Sequence, residues 1–226
     1  MDLKKQAAEK ALSFIEDKSV VGLGAGSTIA HLVEFLEKRV HQGMTLQFVT
    51  SSYSTLQLLQ NKKLPVSSIA TFQEIDIYFD GCDQVDKQLN ALKSGGGIHT
   101  HEKLLARMAK QFILIGDEAK LVETFNLKYP LVLEILPQAQ RFVPFSIKQI
   151  FPGVTMSMRL NDKRDGAVLT ENGNYLLDVF FTKWPALDEI NDALKNIVGI
   201  VETSLFYQIA SKAIVASEKG IIELSK

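Results

Sequence analysis

The first 120 or so residues alternate between short apolar runs and amphipathic stretches, and this constrains the fold more than any other feature. "SVVGLG", "TLQFVTSS", "IDIYFDG" and "QFILIGD" read as strands, the third with Ile75, Ile77 and Phe79 at alternate positions. Helical spacing fills the gaps. Leu3, Ala7, Ala11, Phe14 and Ile15 mark a helix over 2–17, and Ile29, Leu32, Val33, Leu36 and Val40 mark one over 28–40. Further helices are expected over 54–61 and over 100–110, the latter burying Leu104, Leu105 and Met108. Strands separated by helices make an α/β fold, a mostly parallel sheet with helices on both faces.

After about Pro130 the texture changes. "LVLEILP", "TMSMRLN", "AVLTENGNYLLDVFF" and "IVGIVETSLF" read as antiparallel strands, with "ENGN" as a hairpin turn. "ALDEINDALKNI" is an amphipathic helix with Leu187, Ile190, Leu194 and Ile197 on one side. The tail from Phe206 is expected to rejoin the first sheet. Residues 1–128 and 206–226 then form the main domain, and 129–205 a small α+β unit inserted into it.

Composition narrows the function classes. Hydrophobic residues make up 46% and charged residues 23%, enough apolar material for a full core. The net charge of -1 offers no basic excess for nucleic acid or an anionic membrane, so a bound anion must be held by local geometry. The one cysteine, Cys82, excludes a disulfide framework and fits a reducing compartment. The opening "MDLKKQAAEKALSFI" is not expected to be a signal peptide, and no apolar run approaches membrane-spanning length. A cytoplasmic protein is expected.

"GLGAGST" (Gly22 to Thr28) lies between a strand and a helix. Glycines permit a tight turn, and free N–H groups at a helix start favour an anion. It is not a P-loop, because Gly26 stands where the lysine belongs. It is not a dinucleotide site, because the second strand ends "FVTSS" without an acid. A phosphate cradle and a capped turn both fit these residues.

The stretch "DGCDQVDKQLNALKSGGGIHTHE" (Asp80 to Glu102) is the second candidate. Asp80 ends a strand of an open sheet, the rim where ligands bind, and Asp83 follows closely. Asp86 reads as part of a solvated turn. Lys93, the glycines 95–97 and Glu102 then combine a cation, a flexible backbone and an acid. Thr100 is expected to be an N-cap, which puts Glu102 in the first helical turn, where the helix dipole favours a carboxylate. His99 and His101 lack the further ligands a zinc site needs, so no metal is expected. His31 and His41 read as ordinary helix residues.

Taken in order, these motifs resemble ribose-5-phosphate isomerase of the A type. "GLGAGST" is similar to that family's phosphate loop, "DGCDQVD" to its Asp-Gly-Ala-Asp-Glu motif, and "KSGGGIHTHEK" to its Lys-Gly-Gly-Gly…Thr-Arg-Glu-Lys motif. "GDEAK" and "ENGNYLLDV" match two further segments, so the resemblance covers essentially the whole chain. It implies a Rossmann-like domain with an inserted ferredoxin-like unit. It also implies interconversion of ribose 5-phosphate and ribulose 5-phosphate through an enediolate, without a cofactor, in a homo-oligomer. By position, Glu102 would move the proton, Lys93 would support the oxyanion, Asp80 would assist ring opening and Asp83 would hold substrate hydroxyls. Ala25, Gly26, Ser27, Thr28, Gly81, Cys82, Ser94, Gly95, Gly96 and Lys120 fall at ligand-binding positions. Ala25, Cys82, Gln84, Ser94 and His101 depart from the family pattern, with Ser94 expected to add a Cβ beside the ligand. Two other readings of the residues are a sugar-phosphate sensing domain without catalysis and a coenzyme A-transferase-like enzyme with Glu102 as nucleophile.

Overall fold

The computed structural model describes residues 2–226. Asp2 caps the first helix, α1 (Leu3–Ala11), by accepting from the N–H groups of Lys4 and Lys5. Then follow β1 (Val20–Leu23), α2 (Ser27–His41), β2 (Gln47–Thr50), α3 (Tyr53–Asn61) and β3 (Ile75–Asp80). Two very short strands, β4 (Gln84–Val85) and β5 (Ala91–Leu92), precede α4 (His99–Met108) and β6 (Ala109–Asp117). The chain continues through β7 (Leu131–Ile135), α5 (Phe142–Ile150), β8 (Thr155–Met158), β9 (Tyr175–Phe180), α6 (Leu187–Lys195) and β10 (Ile200–Thr203). It closes with β11 (Leu205–Phe206), β12 (Lys212–Ser217) and β13 (Gly220–Ser225).

The main sheet has the order β13-β12-β6-β3-β1-β2. Every pair in it is parallel except β12 with β13 at the edge. From β1 the chain crosses to β2 on one side, then returns to β3 on the other. That reversal leaves a crevice beyond the carboxyl ends of β1 and β3, the place where open α/β sheets bind ligands. On one face, α1, α2 and α3 bury Ala7, Ala11, Ile29, Leu32, Leu36 and Leu59 against Val21, Phe48, Phe79 and Ile113. The other face packs Tyr78, Phe112, Leu114 and Val215 against Leu105 and Ala106 of α4.

The second sheet is antiparallel, in the order β10-β7-β9-β8. Its path, β7-α5-β8-β9-α6-β10, is the ferredoxin-like βαββαβ arrangement. Val143 and Ile147 of α5 and Ile190 and Leu194 of α6 cover Leu133, Leu177 and Val179. Helix α5 is not apparent from the sequence, because Pro144 interrupts its apolar pattern. It stands in the first turn of the helix, where a missing N–H costs nothing. The expected strand before the "ENGN" turn is reduced to isolated bridges, Leu160 with Ala167 and Leu169 with Tyr175. A third sheet, β11-β5-β4, is built from two-residue strands too short to show a period.

Candidate active site

The three glycines of "GLGAGST" serve three purposes. A Cβ on Gly22 would come within 2.8 Å of the Tyr78 ring on the neighbouring strand. A Cβ on Gly24 would fall 1.9 Å from Asp80 Oδ1, inside the carboxylate itself. Gly26 has open space around it but a φ of +99°, which a side chain would strain. Thus Gly22 and Gly24 make room for β3, and Gly26 turns the chain into α2. The N–H groups at the start of α2, with the Ser27 and Thr28 side chains, border the crevice.

Four donors converge on Asp80, which is fully buried. Its Oδ1 accepts from Gly81 N at 2.7 Å and Ala25 N at 3.2 Å; its Oδ2 accepts from the Tyr78 hydroxyl at 2.5 Å. Lys93 Nζ lies 2.9 Å from Oδ2 and 3.3 Å from Glu102 Oε1, and it donates to Gly81 O at 2.5 Å. Lys93 and Glu102 are only 8% and 5% exposed. Burial works against the Lys93 charge, but the Asp80 and Glu102 carboxylates outweigh it and hold the ammonium well above its ordinary range. Burial pushes Glu102 up to about 8, with Lys93 opposing and Asp80 reinforcing the shift. A buried cation therefore sits between two carboxyl groups, one of which binds its proton unusually well. This is the composition needed to take a proton and to stabilise a developing oxyanion.

Asp83 organises the next loop. Its Oδ2 accepts from Ser94 N at 2.6 Å and Gly95 N at 3.1 Å. Ser94 donates its hydroxyl to Pro130 O at 2.6 Å and, unlike Gly95 and Gly96, does not border the crevice. Arg159, at the end of β8, donates to Ser94 O at 3.0 Å and Gly95 O at 3.2 Å while pairing with Asp178 Oδ1 at 2.6 Å. Of the glycine triplet, Gly95 and Gly96 line the crevice. Gly97 instead has φ +72° and lies where a Cβ would meet Leu176 at 2.5 Å.

These groups enclose a cavity of about 280 Å³. It is bordered by Ala25, Gly26, Ser27, Thr28, Gly81, Cys82, Asp83, Lys93, Gly95, Gly96, Glu102 and Lys120, so all the candidate positions except Asp80 and Ser94 open onto it. Asp80 stands directly behind Lys93. The Cys82 thiol is pushed up to about 12 by burial. Lys4 of α1 also borders the cavity, a residue the sequence reading did not single out, because its local pattern is that of any helix surface. Lys4 and Lys120 thus add two cations to the walls near Ser27 and Thr28.

Three expectations are corrected. Thr100 is not the N-cap of α4: Ile98 holds that position, and the Thr100 hydroxyl donates across to Glu134 Oε2 of β7. Asp86 is buried, accepting from the N–H groups of Gln88 and Asn90 and from the Asn90 side chain, and so it shapes the β4–β5 turn. Leu104 faces outward at 49% exposure, because α4 presents His99, Glu102 and Lys103 to the interior instead. His99 and His101 diverge: His99 Nε2 approaches Glu202 O, and His101 Nε2 approaches Asn172 Oδ1. Among the described residues no cluster of three His, Cys, Asp or Glu side chains could hold a metal ion.

Comparison with known proteins points one way. The profile of the family described as Ribose 5-phosphate isomerase A (phosphoriboisomerase A) matches residues 47–220. Ribose-5-phosphate isomerase A of Methanothermobacter thermautotrophicus is 38% identical over 222 residues, 98% of this chain and 96% of the relative. That of Thermococcus kodakarensis is 35% identical over 227 residues, 100% of this chain and 98% of the relative. The solved ribose 5-phosphate isomerase A of Methanocaldococcus jannaschii superposes with a TM-score of 0.91 at 33% identity, covering 100% and 99% of the two chains. A D-ribose-5-phosphate isomerase solved in complex with phospho-erythronic acid gives a TM-score of 0.92 at 33% identity, covering 100% and 98%.

Proposed function

The chain belongs to the ribose 5-phosphate isomerase A family, and on that premise we propose how its buried Asp80–Lys93–Glu102 cluster interconverts D-ribose 5-phosphate and D-ribulose 5-phosphate. The protein is an aldose–ketose isomerase. The observation that carries the assignment of roles is Glu102, a carboxyl group with a raised proton affinity at the cavity wall, 3.3 Å from a buried ammonium.

The phosphate binds at the N-terminus of α2, between the Ser27 and Thr28 hydroxyls and the Lys4 and Lys120 side chains. Fixing that end holds a small, flexible sugar in one register, so binding energy serves orientation. Asp80, which does not open onto the cavity, assists opening of the furanose ring through the Lys93 ammonium it holds, and Asp83 faces the sugar hydroxyls. Glu102 then removes the proton from carbon 2 of the open aldehyde. The C–H electron pair becomes the carbon 1–carbon 2 double bond, and the carbonyl oxygen takes the negative charge opposite the Lys93 ammonium. Glu102 returns its proton to carbon 1, and the hydroxyl proton passes from oxygen 2 to oxygen 1, leaving the ketose. The relative solved with phospho-erythronic acid supports a phosphorylated sugar in this kind of site. Mere sensing of a sugar phosphate would not need a base and an ammonium buried together.

The test is ribulose 5-phosphate formation from ribose 5-phosphate, with EDTA present, by the wild type and by Glu102→Gln. The wild type should turn over without added metal. The mutant should keep its fold and binding while kcat falls by about 10²- to 10⁴-fold, the scale of a lost acid–base group. Full activity in Glu102→Gln would remove Glu102 as the base.

The same reading makes the protein a cytoplasmic homo-oligomer, dimer or tetramer. Phe142 and Phe145 of α5 and the nearby Val198 support self-association, being 55%, 62% and 81% exposed. A monomeric mass in sedimentation at micromolar protein would count against it. No helix among the described residues is long and apolar enough to cross a membrane.

A further inference from the structure

Glu134 lies in β7, on the small sheet, and is 1% exposed. The hydrogen-bond donors converging on it are neutral. Its Oε2 accepts from the Thr100 hydroxyl. Its Oε1 accepts from Thr170 Oγ1 at 2.9 Å, Asn172 Nδ2 at 3.0 Å and Asn174 Nδ2 at 2.7 Å. Three donors come from one hairpin, residues 170–174. The fourth comes from α4, two residues before Glu102.

Stability alone does not ask for a carboxylate here. All five residues of β7 are buried, and the other four are apolar. A fifth apolar side chain would avoid the cost of taking a charge out of water. What the carboxylate adds is direction: it accepts from two elements at once and fixes the distance between them. Helix α4 has no side-chain N-cap, because Ile98 at that position is apolar, and its first turn is instead tied to the small sheet by the Thr100 hydroxyl on Glu134. The same turn is held on its other side by Lys103, whose Nζ donates to Glu202 Oε1 at 2.7 Å and Thr203 O at 2.5 Å on β10. Glu102 lies between these two anchors, and both lead to the small sheet.

We propose that Glu134 is a positioning residue for the isomerase reaction: through Thr100 it fixes the first turn of α4, and so the Glu102 carboxylate, relative to Lys93 and the bound sugar. This rests on Glu102 as the base. The small sheet is then part of the catalytic apparatus without touching the substrate.

The experiment compares kcat and KM for ribose 5-phosphate in the wild type, Glu134→Gln, Thr100→Val, the double mutant and Glu102→Gln, each normalised to folded protein by circular dichroism. Gln keeps the size of Glu134 but removes the charge and replaces one accepting oxygen by an NH₂, so the Thr100 hydroxyl loses its carboxylate acceptor and must turn round to accept. Val keeps the shape of Thr100 and leaves the hairpin bonds intact. Glu134→Gln should lower kcat by about 10- to 100-fold, the cost of a misplacement near 1 Å. KM should change by less than about threefold, since the phosphate end is untouched. Thr100→Val should lose kcat in the same direction, and the two losses should be strongly non-additive. If Glu134→Gln does not fold, Thr100→Val decides the matter alone. Wild-type kcat per folded molecule in either mutant, with only a lower melting temperature, would overturn the proposal. So would a change confined to KM, or strict additivity. An inactive wild type would overturn the Glu102 reading with it. An active wild type, a dead Glu102→Gln and an unimpaired Glu134→Gln would overturn this inference alone.

Discussion

At the scale of single residues, the chemistry hangs on how three buried charges share one small space. Lys93 faces Asp80 at 2.9 Å and Glu102 at 3.3 Å, but Tyr78 and two backbone N–H groups also serve Asp80. Glu102 has less compensation, and burial raises it from the ordinary 4.5 to about 8. Two pH effects follow with opposite signs. A base must be ionised, so kcat/KM should rise with pH through about 8, as the free protein's Glu102 loses its proton. Stability runs the other way. The folded state binds this proton more tightly than the unfolded chain, so the contribution is complete below 4.5 and lost as pH rises through about 8. Glu102→Gln, which cannot ionise, should therefore gain melting temperature relative to the wild type between about pH 5 and about pH 9. A pH-independent difference would mean that Glu102 ionises as easily folded as unfolded. Motif order marked Asp80, Lys93 and Glu102, and the fold brings the three together. Lys4 was not marked, because one lysine on a helix surface carries no signal until the fold brings it to the cavity wall.

At the scale of elements, β1, β2, β3 and β6 of the main sheet were legible because two buried faces impose a plain apolar pattern, whereas the exposed edge strand β13 shows none. Helix α4 was harder to read. Its inward face is His99, Glu102, Lys103, Leu105 and Ala106, and Leu104 faces out. A helix that buries charged and polar groups breaks the amphipathic rule that locates ordinary helices. The β1–β3 pair shows the reverse case, a sequence feature whose reason appears only in the register. Gly22 sits opposite Tyr78, and Gly24 follows Leu23, which sits opposite Phe79. Gly24 therefore lies beside Asp80, with no room for a Cβ. Gly24→Ala should displace the Asp80 carboxylate, costing about 1–3 kcal/mol of stability as an overpacked core site does. Its activity should fall by more than that stability loss explains, because Asp80 and Lys93 move together. Urea melts read beside kcat would check this. An active Gly24→Ala enzyme of lowered stability would show that Asp80 tolerates displacement.

At the scale of the whole molecule, the chain joins a Rossmann-like sheet to a ferredoxin-like one, and the joint lies beside the Lys93–Glu102 pair. Alternation of strand and helix, then its loss after Pro130, made both architectures legible. The side-chain contacts between them were not, because they join residues 34 to 103 positions apart in the chain, several of them to a backbone carbonyl. Arg159 is the clearest case. Its guanidinium pairs with Asp178 on β9 and donates to the carbonyls of Ser94 and Gly95, the loop that Asp83 grips from the opposite side. Nothing in "TMSMRLN" marks that arginine, since its partners are two backbone oxygens and a distant carboxylate. Arg159→Met keeps much of the side-chain bulk and removes the fork. It frees the Ser94–Gly95 segment from the small sheet while Asp83 still holds its N–H groups. Charge-assisted hydrogen bonds are worth about 1.5–3 kcal/mol, and Arg159 is partly exposed, so the stability loss should sit at or below the lower end of that range. Gly95 and Gly96 line the cavity proposed to hold the sugar, so a looser segment should raise KM several-fold. Glu102 and Lys93 keep their own anchors, so kcat should fall less than in Glu134→Gln. That contrast separates the two links between the sheets: one holds the substrate's wall, the other holds the base. Equal losses of kcat in Arg159→Met and Glu134→Gln would mean that the small sheet acts as one rigid support, with no division of labour between its two contacts.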